Sequence, residues 1–195
     1  MSAELFWDKY RIPSARLQGW DYSMSAYYFI TICTKERIPW FGEIEKEEMI
    51  LNNIGEIVYQ EIVETAKIRN NVKIDSFVVM PDHIHLVIFI TNATRRDALH
   101  ASRNKTDTWV TCNVPLQNKF WPQINNLPSI VRWLKWSITS KIKSQYDKSF
   151  AWQSGYHDHI IRDEKELYFV DQYIQNNPLN REKDKDKDMF SEFNI

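Results

Sequence analysis

A chain of 195 residues, 43% of them hydrophobic, can bury a substantial core, and its length predicts one domain rather than two. The formal net charge of −1 excludes binding of polyanions through overall charge, so a nucleic-acid site has to be a local patch. Two distant cysteines, four scattered glycines and short apolar runs exclude a disulfide scaffold, a phosphate-binding loop and a membrane span. Since Met1 to Arg16 also lacks the pattern of a secretory signal, a cytoplasmic protein is expected.

The first half of the chain predicts three strands and one helix. Ala26 to Thr34 is rich in β-branched and aromatic residues, which is typical of a strand. Apolar residues recur at near-helical spacing from Ile50 to Ile68 and predict an amphipathic helix. Val72 to Met80 and His83 to Ile90 predict two more strands. Because only Pro81-Asp82 connects them, they must be antiparallel.

The second half begins with a long polar loop at about residues 93–127. A helix with an apolar stripe is predicted from Ser129 to about Gln145, and Trp152 to Ile161 predicts a turn followed by a strand. A last helix should begin after Asp163, run from Glu164 to about Asn176 and stop before Pro178. We therefore expect one domain over residues 1–178 and a charged tail over 179–195.

Two histidines stand out at the start of the third predicted strand. Because successive side chains of a strand alternate between its faces, His83 and His85 share one face. Two imidazoles held side by side can bind one divalent ion. One core histidine and one surface histidine is the ordinary alternative, so the pair needs a third ligand and a reacting group to be meaningful.

The two helices of the second half each carry a further candidate feature. The first helix is locally basic in a neutral chain, although a solvated face explains its cations equally well; its candidate DNA contacts are Arg132, Lys135, Lys141 and Lys143. On the last helix, Tyr173 and Asn177 are four residues apart and so lie next to each other. A tyrosine that borders an apolar stripe is also common in ordinary packing.

These segments together resemble a known family. YFITICTK, VVMPDHIHLVI, SIVRWLKWSITSKI and WQSGYHDHIIRDEKEL followed by YIQNNP look like the REP-associated tyrosine transposases, which are single-tyrosine HUH transposases of small insertion sequences. The resemblance covers about Leu17 to Asn92 and Ser129 to Pro178. The family more often has asparagine at position 82, where this chain has Asp82.

The resemblance implies a fold and a role for each matching residue. The fold would be of the mixed α/β (α+β) class, a ferredoxin-like HUH nuclease with a central antiparallel sheet and helices on its faces. His83, His85 and Asn177 would bind a divalent metal, Mg²⁺ or Mn²⁺, and Tyr173 would be the catalytic nucleophile. The activity would be cleavage and joining of single-stranded DNA near hairpins through a 5′-phosphotyrosine. One tyrosine suffices if cleavage and joining alternate, and a homodimer would supply two.

Two functions of other classes remain open from the sequence. A metal-dependent phosphodiester hydrolase would use His83 and His85 to activate water, with Tyr173 merely structural. A non-catalytic hairpin-binding protein derived from a transposase would need neither. A covalent protein–DNA adduct separates the predicted function from the first, and tight binding without cleavage would indicate the second.

Overall fold

The computed structural model describes residues 5–6, 9–10, 17, 20–91 and 126–180. The loop predicted at about residues 93–127 and the tail predicted over 179–195 lie mostly outside these ranges. The described strands and helices follow in chain order: β1 (Leu5–Phe6), β2 (Lys9–Tyr10), β3 (Ala26–Cys33), β4 (Gly42–Glu45), β5 (Glu48–Leu51), α1 (Asn53–Ile68), β6 (Val72–Met80), β7 (His83–Ile90), α2 (Leu127–Gln145), β8 (His157–Ile161) and α3 (Glu164–Gln175).

A four-stranded antiparallel sheet in the order β6-β7-β3-β8 forms the centre of the fold. The β6 and β7 strands are joined by the two-residue turn Pro81-Asp82, and Met80 pairs with His83 directly across it. Strand β3 pairs with β7 along its whole length, from Ala26 opposite Ile90 to Cys33 opposite His83. The predicted antiparallel sheet of the α+β class is therefore confirmed.

Helices cover both faces of the sheet, because its strands are apolar on both sides. The α1 and α2 helices pack on one face, where Ile30, Leu86 and their neighbours form the larger core with Ile62 and Leu134. The α3 helix covers the other face. There it buries Val170 and Ile174 against Phe29, Val87 and Ile161. The side chains of these three strand residues point to the opposite face from those of the larger core.

Two helix starts differ from the prediction because asparagines cap them. The first helix begins at Asn53 rather than Ile50, since the Asn52 side chain accepts hydrogen bonds from the N–H groups of Ile54 and Gly55, both at 2.9 Å. Ile50 instead lies in β5, part of a β4-β5 hairpin that the periodicity did not reveal. The second begins at Leu127 because Asn126 Oδ1 accepts from Ser129 N–H at 3.0 Å.

The predicted start of the third helix agrees with the structure. The Asp163 side chain accepts from Glu166 N–H at 2.8 Å, as in a capping box. The Glu166 carboxylate reaches back to Arg162 N–H at 2.7 Å, one residue before the cap. Among the described residues, no helix is both long and apolar enough to cross a lipid bilayer.

A buried ionic contact joins the two helices of the larger core. Glu61 of α1 is only 3% exposed, and its carboxylate accepts hydrogen bonds from Ser137 and Lys141 of α2. The Lys141 side chain is half exposed and therefore brings a charge to Glu61 without being fully desolvated itself. Such a contact stabilises the helix pair mainly by preventing an unpaired charge in the core.

We expect Lys141→Met to lower the free energy of unfolding by about 1–3 kcal/mol. Removing one partner of a buried pair costs about 3–5 kcal/mol, and the half-exposed lysine reduces that effect through solvent screening. Urea unfolding at pH 7 measures the loss. Lys143→Met, an exposed position two residues further on, is the matched control with an expected change below about 0.5 kcal/mol. Equal unfolding midpoints for both variants would contradict the expectation.

Candidate active site

The two histidines of β7 lie side by side on the face of the sheet that α3 covers. His83 is the first residue after the Pro81-Asp82 turn, and His85 lies opposite Thr31 of β3. Both histidines are only 5% exposed. The ordinary alternative of one core and one surface histidine therefore does not apply, and a rigid, paired strand holds both rings.

The Nε2 edges of the two imidazoles face each other within hydrogen-bond distance. Their Nε2 atoms are 3.1 Å apart, and the ring planes are inclined by 77°. The opposite edges are engaged, since His83 Nδ1 lies 2.7 Å from Asp82 Oδ1 and His85 Nδ1 lies 2.8 Å from Thr31 Oγ1. A carboxylate only accepts, which keeps the proton of neutral His83 on Nδ1 and leaves a lone pair on Nε2. The Thr31 hydroxyl can donate or accept, so it suits either tautomer of His85.

Asp82 links the histidine pair to the guanidinium group of Arg37. Its Oδ2 lies 3.2 Å from Arg37 Nε. Burial works against the charged form, but the hydrogen bond and electrostatic interaction with His83 and the positive charge of Arg37 together hold the pKa of Asp82 below its usual value. Burial, with smaller contributions from His83 and Arg37, lowers the pKa of His85 well below the usual range. His85 is therefore neutral at neutral pH, as a metal ligand has to be.

Tyr173 projects from α3 toward this pair. Its ring lies edge-on to the His85 ring, with 5.4 Å between centroids and an angle of 68°. The Phe29 ring, 6.1 Å away at 80°, contacts it from β3. Two other tyrosines of the C-terminal part lie elsewhere, since Tyr168 is 62% exposed and Tyr156 packs against the core on the opposite face. The structure thus brings the predicted nucleophile next to the predicted metal-binding pair.

Asn177 lies beyond the end of α3, in the turn that follows the Asn176 cap. Its side chain is completely buried, and its backbone N–H donates to Ile174 O at 3.3 Å. The predicted third ligand is therefore held by a turn rather than by the helix itself. Among the described residues, no cluster of three or more His, Cys, Asp or Glu side chains forms a metal site. An ion at the histidine pair would thus need an amide, water or substrate oxygen to complete its ligands.

Comparison with known proteins shows which family this chain belongs to. Residues 22–124, just over half of the chain, match the family of IS200-like transposases. The chain belongs to the IS200-like transposase family. The chain is 36% identical over 176 residues to an uncharacterized protein of Haemophilus influenzae, and the alignment covers 88% of this chain and 90% of the relative. The transposase family predicted from the sequence is confirmed.

A solved structure shares the fold of this chain. It is a REP-associated tyrosine transposase bound to a REP hairpin, aligned with a TM-score of 0.52 at 16% sequence identity. The alignment covers 83% of this chain and 72% of the solved one. At that identity the likeness establishes the arrangement of sheet and helices.

The four basic residues predicted to contact DNA lie on the other side of the sheet from the histidine pair. They belong to α2, which packs on the face of the sheet opposite the histidines. Lys141 pairs with Glu61, and half-buried Lys135 donates to the carbonyls of Gln153 and Gly155, each at 2.8 Å. Burial lowers the pKa of Lys135. Arg132 and Lys143 are exposed. The helix therefore does not present its cations as one patch, and its DNA contacts stay a prediction.

The sequence did not indicate two contacts of the site. Thr31 is a residue of an ordinary strand, and it meets His85 only because β3 and β7 pair in this register. Arg37 lies in a short 3-10 turn and reaches Asp82 from a backbone with a φ of 56°. No local pattern in the chain predicts either contact.

Proposed function

We propose that this protein is a transposase-like single-stranded DNA endonuclease and strand transferase that works through a covalent bond between Tyr173 and DNA. The observation that carries the proposal is the contact of the Tyr173 ring with His85, at 5.4 Å between centroids, beside the paired imidazoles. A phenol next to a site suited to a divalent ion is the combination that phosphodiester cleavage by a tyrosine needs. Membership in a transposase family supports DNA as the substrate.

A divalent ion fits the donors of the histidine pair. One divalent ion can bind two imidazole nitrogens only when they lie close together. The two Nε2 atoms are separated by 3.1 Å. His83 and His85 would hold the ion, and we propose the buried amide of Asn177 as the third ligand. Imidazole ligands suit Mn²⁺, and Mg²⁺ is the other candidate. When bound, the ion supplies a Lewis acid for the phosphate oxygens.

The cleavage step itself would be carried out by Tyr173 and the residues that contact its ring. The Tyr173 hydroxyl oxygen attacks the phosphorus, so that the bond from phosphorus to the 3′ oxygen breaks as the bond to tyrosine forms. The tyrosine gives up its proton, and the departing 3′ oxygen gains one. Because the phosphotyrosine keeps the energy of the broken bond, a 3′-hydroxyl can later reverse the step without ATP. Phe29 and His85, which stack on each other, both contact the ring edge-on and would hold it in place during this exchange.

We propose a hairpin-forming single strand as the substrate. The solved transposase that shares this fold was bound to a REP hairpin. The test is to incubate the protein with end-labelled hairpins from the DNA flanking its gene, with Mn²⁺, and to separate the products on a denaturing gel. A slowly migrating protein–DNA adduct is expected. Cleaved strands without an adduct would indicate the hydrolase, and binding without cleavage would indicate the non-catalytic binder.

Asp82 offers a further test of the metal proposal. Asp82→Ala removes the acceptor for His83 Nδ1, and the loss of such an outer partner typically lowers metal affinity about 10–100-fold. Asp82→Asn keeps an acceptor oxygen and should bind Mn²⁺ closer to the unsubstituted protein. Isothermal titration with Mn²⁺ measures both. Equal affinity of the alanine variant and the unsubstituted protein would show that Asp82 does not orient a metal ligand.

A further inference from the structure

The outer side of α2 carries an exposed row of aromatic and cationic side chains. Arg132, Trp136, Lys143 and Tyr146 follow one another at spacings of four, seven and three residues, which places them on one side of a helix. Trp136 is 65% exposed and Tyr146 is 48% exposed. Tyr146 caps the helix, and its N–H donation to Ile142 O at 2.8 Å continues the helical turn. We call these four residues the α2 row.

The row lies opposite the side of α2 that packs against the sheet. The packed side contains Ile130, Leu134 and Ile138, all completely buried. Exposure of a tryptophan is unusual, because this large side chain is buried on average. The neighbouring Trp133 is half buried, with the Arg69 guanidinium 5.7 Å above its ring. Trp136 therefore stands out among the aromatic residues of this helix.

The charge of α2 favours a polyanion over a second protein surface. The helix contains four cations and no acidic residue. Lys135 and Lys141 have partners within the protein, whereas Arg132 and Lys143 are exposed beside the aromatic rings of the row. The nearest acid after the row is Asp147, whose Oδ1 accepts from Ser149 N–H at 2.7 Å.

We propose that the α2 row is a binding platform for unpaired DNA, in which bases stack on Trp136 and Tyr146 while phosphates contact Arg132 and Lys143. Alternation of stacking rings and cations is how proteins hold single strands without reading their sequence. Tyr146 lies ten positions after Trp136, which corresponds to about 15 Å along the helix. The α2 helix and Tyr173 lie on opposite faces of the sheet. The nucleotides bound to the platform are therefore not the ones whose phosphodiester bond is cleaved. The proposal rests on the proposed function only in taking DNA as the ligand.

The test measures binding without cleavage, by fluorescence anisotropy in EDTA. A hairpin with an unpaired tail is compared with the same hairpin without the tail. For Trp136→Ala/Tyr146→Ala, affinity for the tailed hairpin should fall at least about tenfold, because each stacked base contributes substantially. Affinity for the blunt hairpin should not change. Trp136→Phe keeps a ring and should retain most of the binding.

Charge and exposure need separate controls. Arg132→Gln/Lys143→Gln should flatten the slope of log K against log salt by about 0.7 for each lost phosphate contact. Tyr59→Ala on α1, a tyrosine of similar exposure at 42%, should leave tail binding unchanged. Undiminished tail binding by a folded Trp136→Ala/Tyr146→Ala protein would overturn the proposal. A dimer that dissociates in this variant, without a tail-specific loss, would overturn it by assigning the row to a second copy.

The experiment separates this inference from the proposed chemistry. If the unsubstituted protein forms no covalent adduct but the α2 row variants lose tail binding, the platform stands and the strand transferase falls. If the adduct forms and tail binding does not depend on the α2 row, the strand transferase stands and the platform falls.

Discussion

The Tyr173→Phe variant should form no covalent adduct with hairpin DNA, and its cleavage rate should fall on the order of 10³-fold or more. The substitution removes the attacking oxygen and nothing else. The ring keeps its edge-on contacts with His85 and Phe29, so the fold and the binding of DNA should persist. A denaturing gel of the reaction with a labelled hairpin and Mn²⁺ measures the adduct, and anisotropy measures the binding.

Tyr168→Phe is the matched control for this experiment. It makes the same chemical change on the same helix, at a side chain that is 62% exposed and points away from the histidine pair. Its adduct should form at the normal rate. An adduct that persists in Tyr173→Phe, or whose peptide maps to Tyr168 or Tyr156, would remove Tyr173 from the proposed role.

In the His83→Ala and His85→Ala variants the activation free energy of cleavage should rise by several kcal/mol. The cleavage rate of each variant should therefore fall on the order of 10³-fold. Each substitution removes one of the two Nε2 atoms that face each other at 3.1 Å. Chelation of the unsubstituted protein with EDTA should have the same effect. Binding of a hairpin with an unpaired tail should change far less, because the α2 row lies on the opposite face of the sheet.

The metal prediction has a readout that does not depend on cleavage. Isothermal titration with Mn²⁺ should detect binding to the unsubstituted protein and none to the double-alanine variant. His157→Ala is the matched control, since this histidine is exposed on the edge strand β8. Cleavage by a folded double-alanine protein in EDTA would refute a role for metal at this pair.

The sequence by itself determined those features that depend on neighbours along the chain. Alternation in a strand put His83 and His85 on one face, and the structure has both there, buried. Helical periodicity and the Asp163 cap located α3, because caps and amphipathic stripes are local signals. The short Pro81-Asp82 connection required an antiparallel pair, and the β6-β7 pairing confirms it.

Only the tertiary structure decided which of these features meet. Thr31 and His85 are 54 positions apart, and Glu61 and Lys141 are 80 apart, so their contacts follow from strand register and helix packing. The same packing sets α3, with Tyr173, over the histidines and α2 on the opposite face. A residue pattern records which side of an element is apolar, and it does not record which layer that side will contact. The four cations of α2 therefore looked equivalent in the sequence, and their different partners emerged only when the layers were assembled.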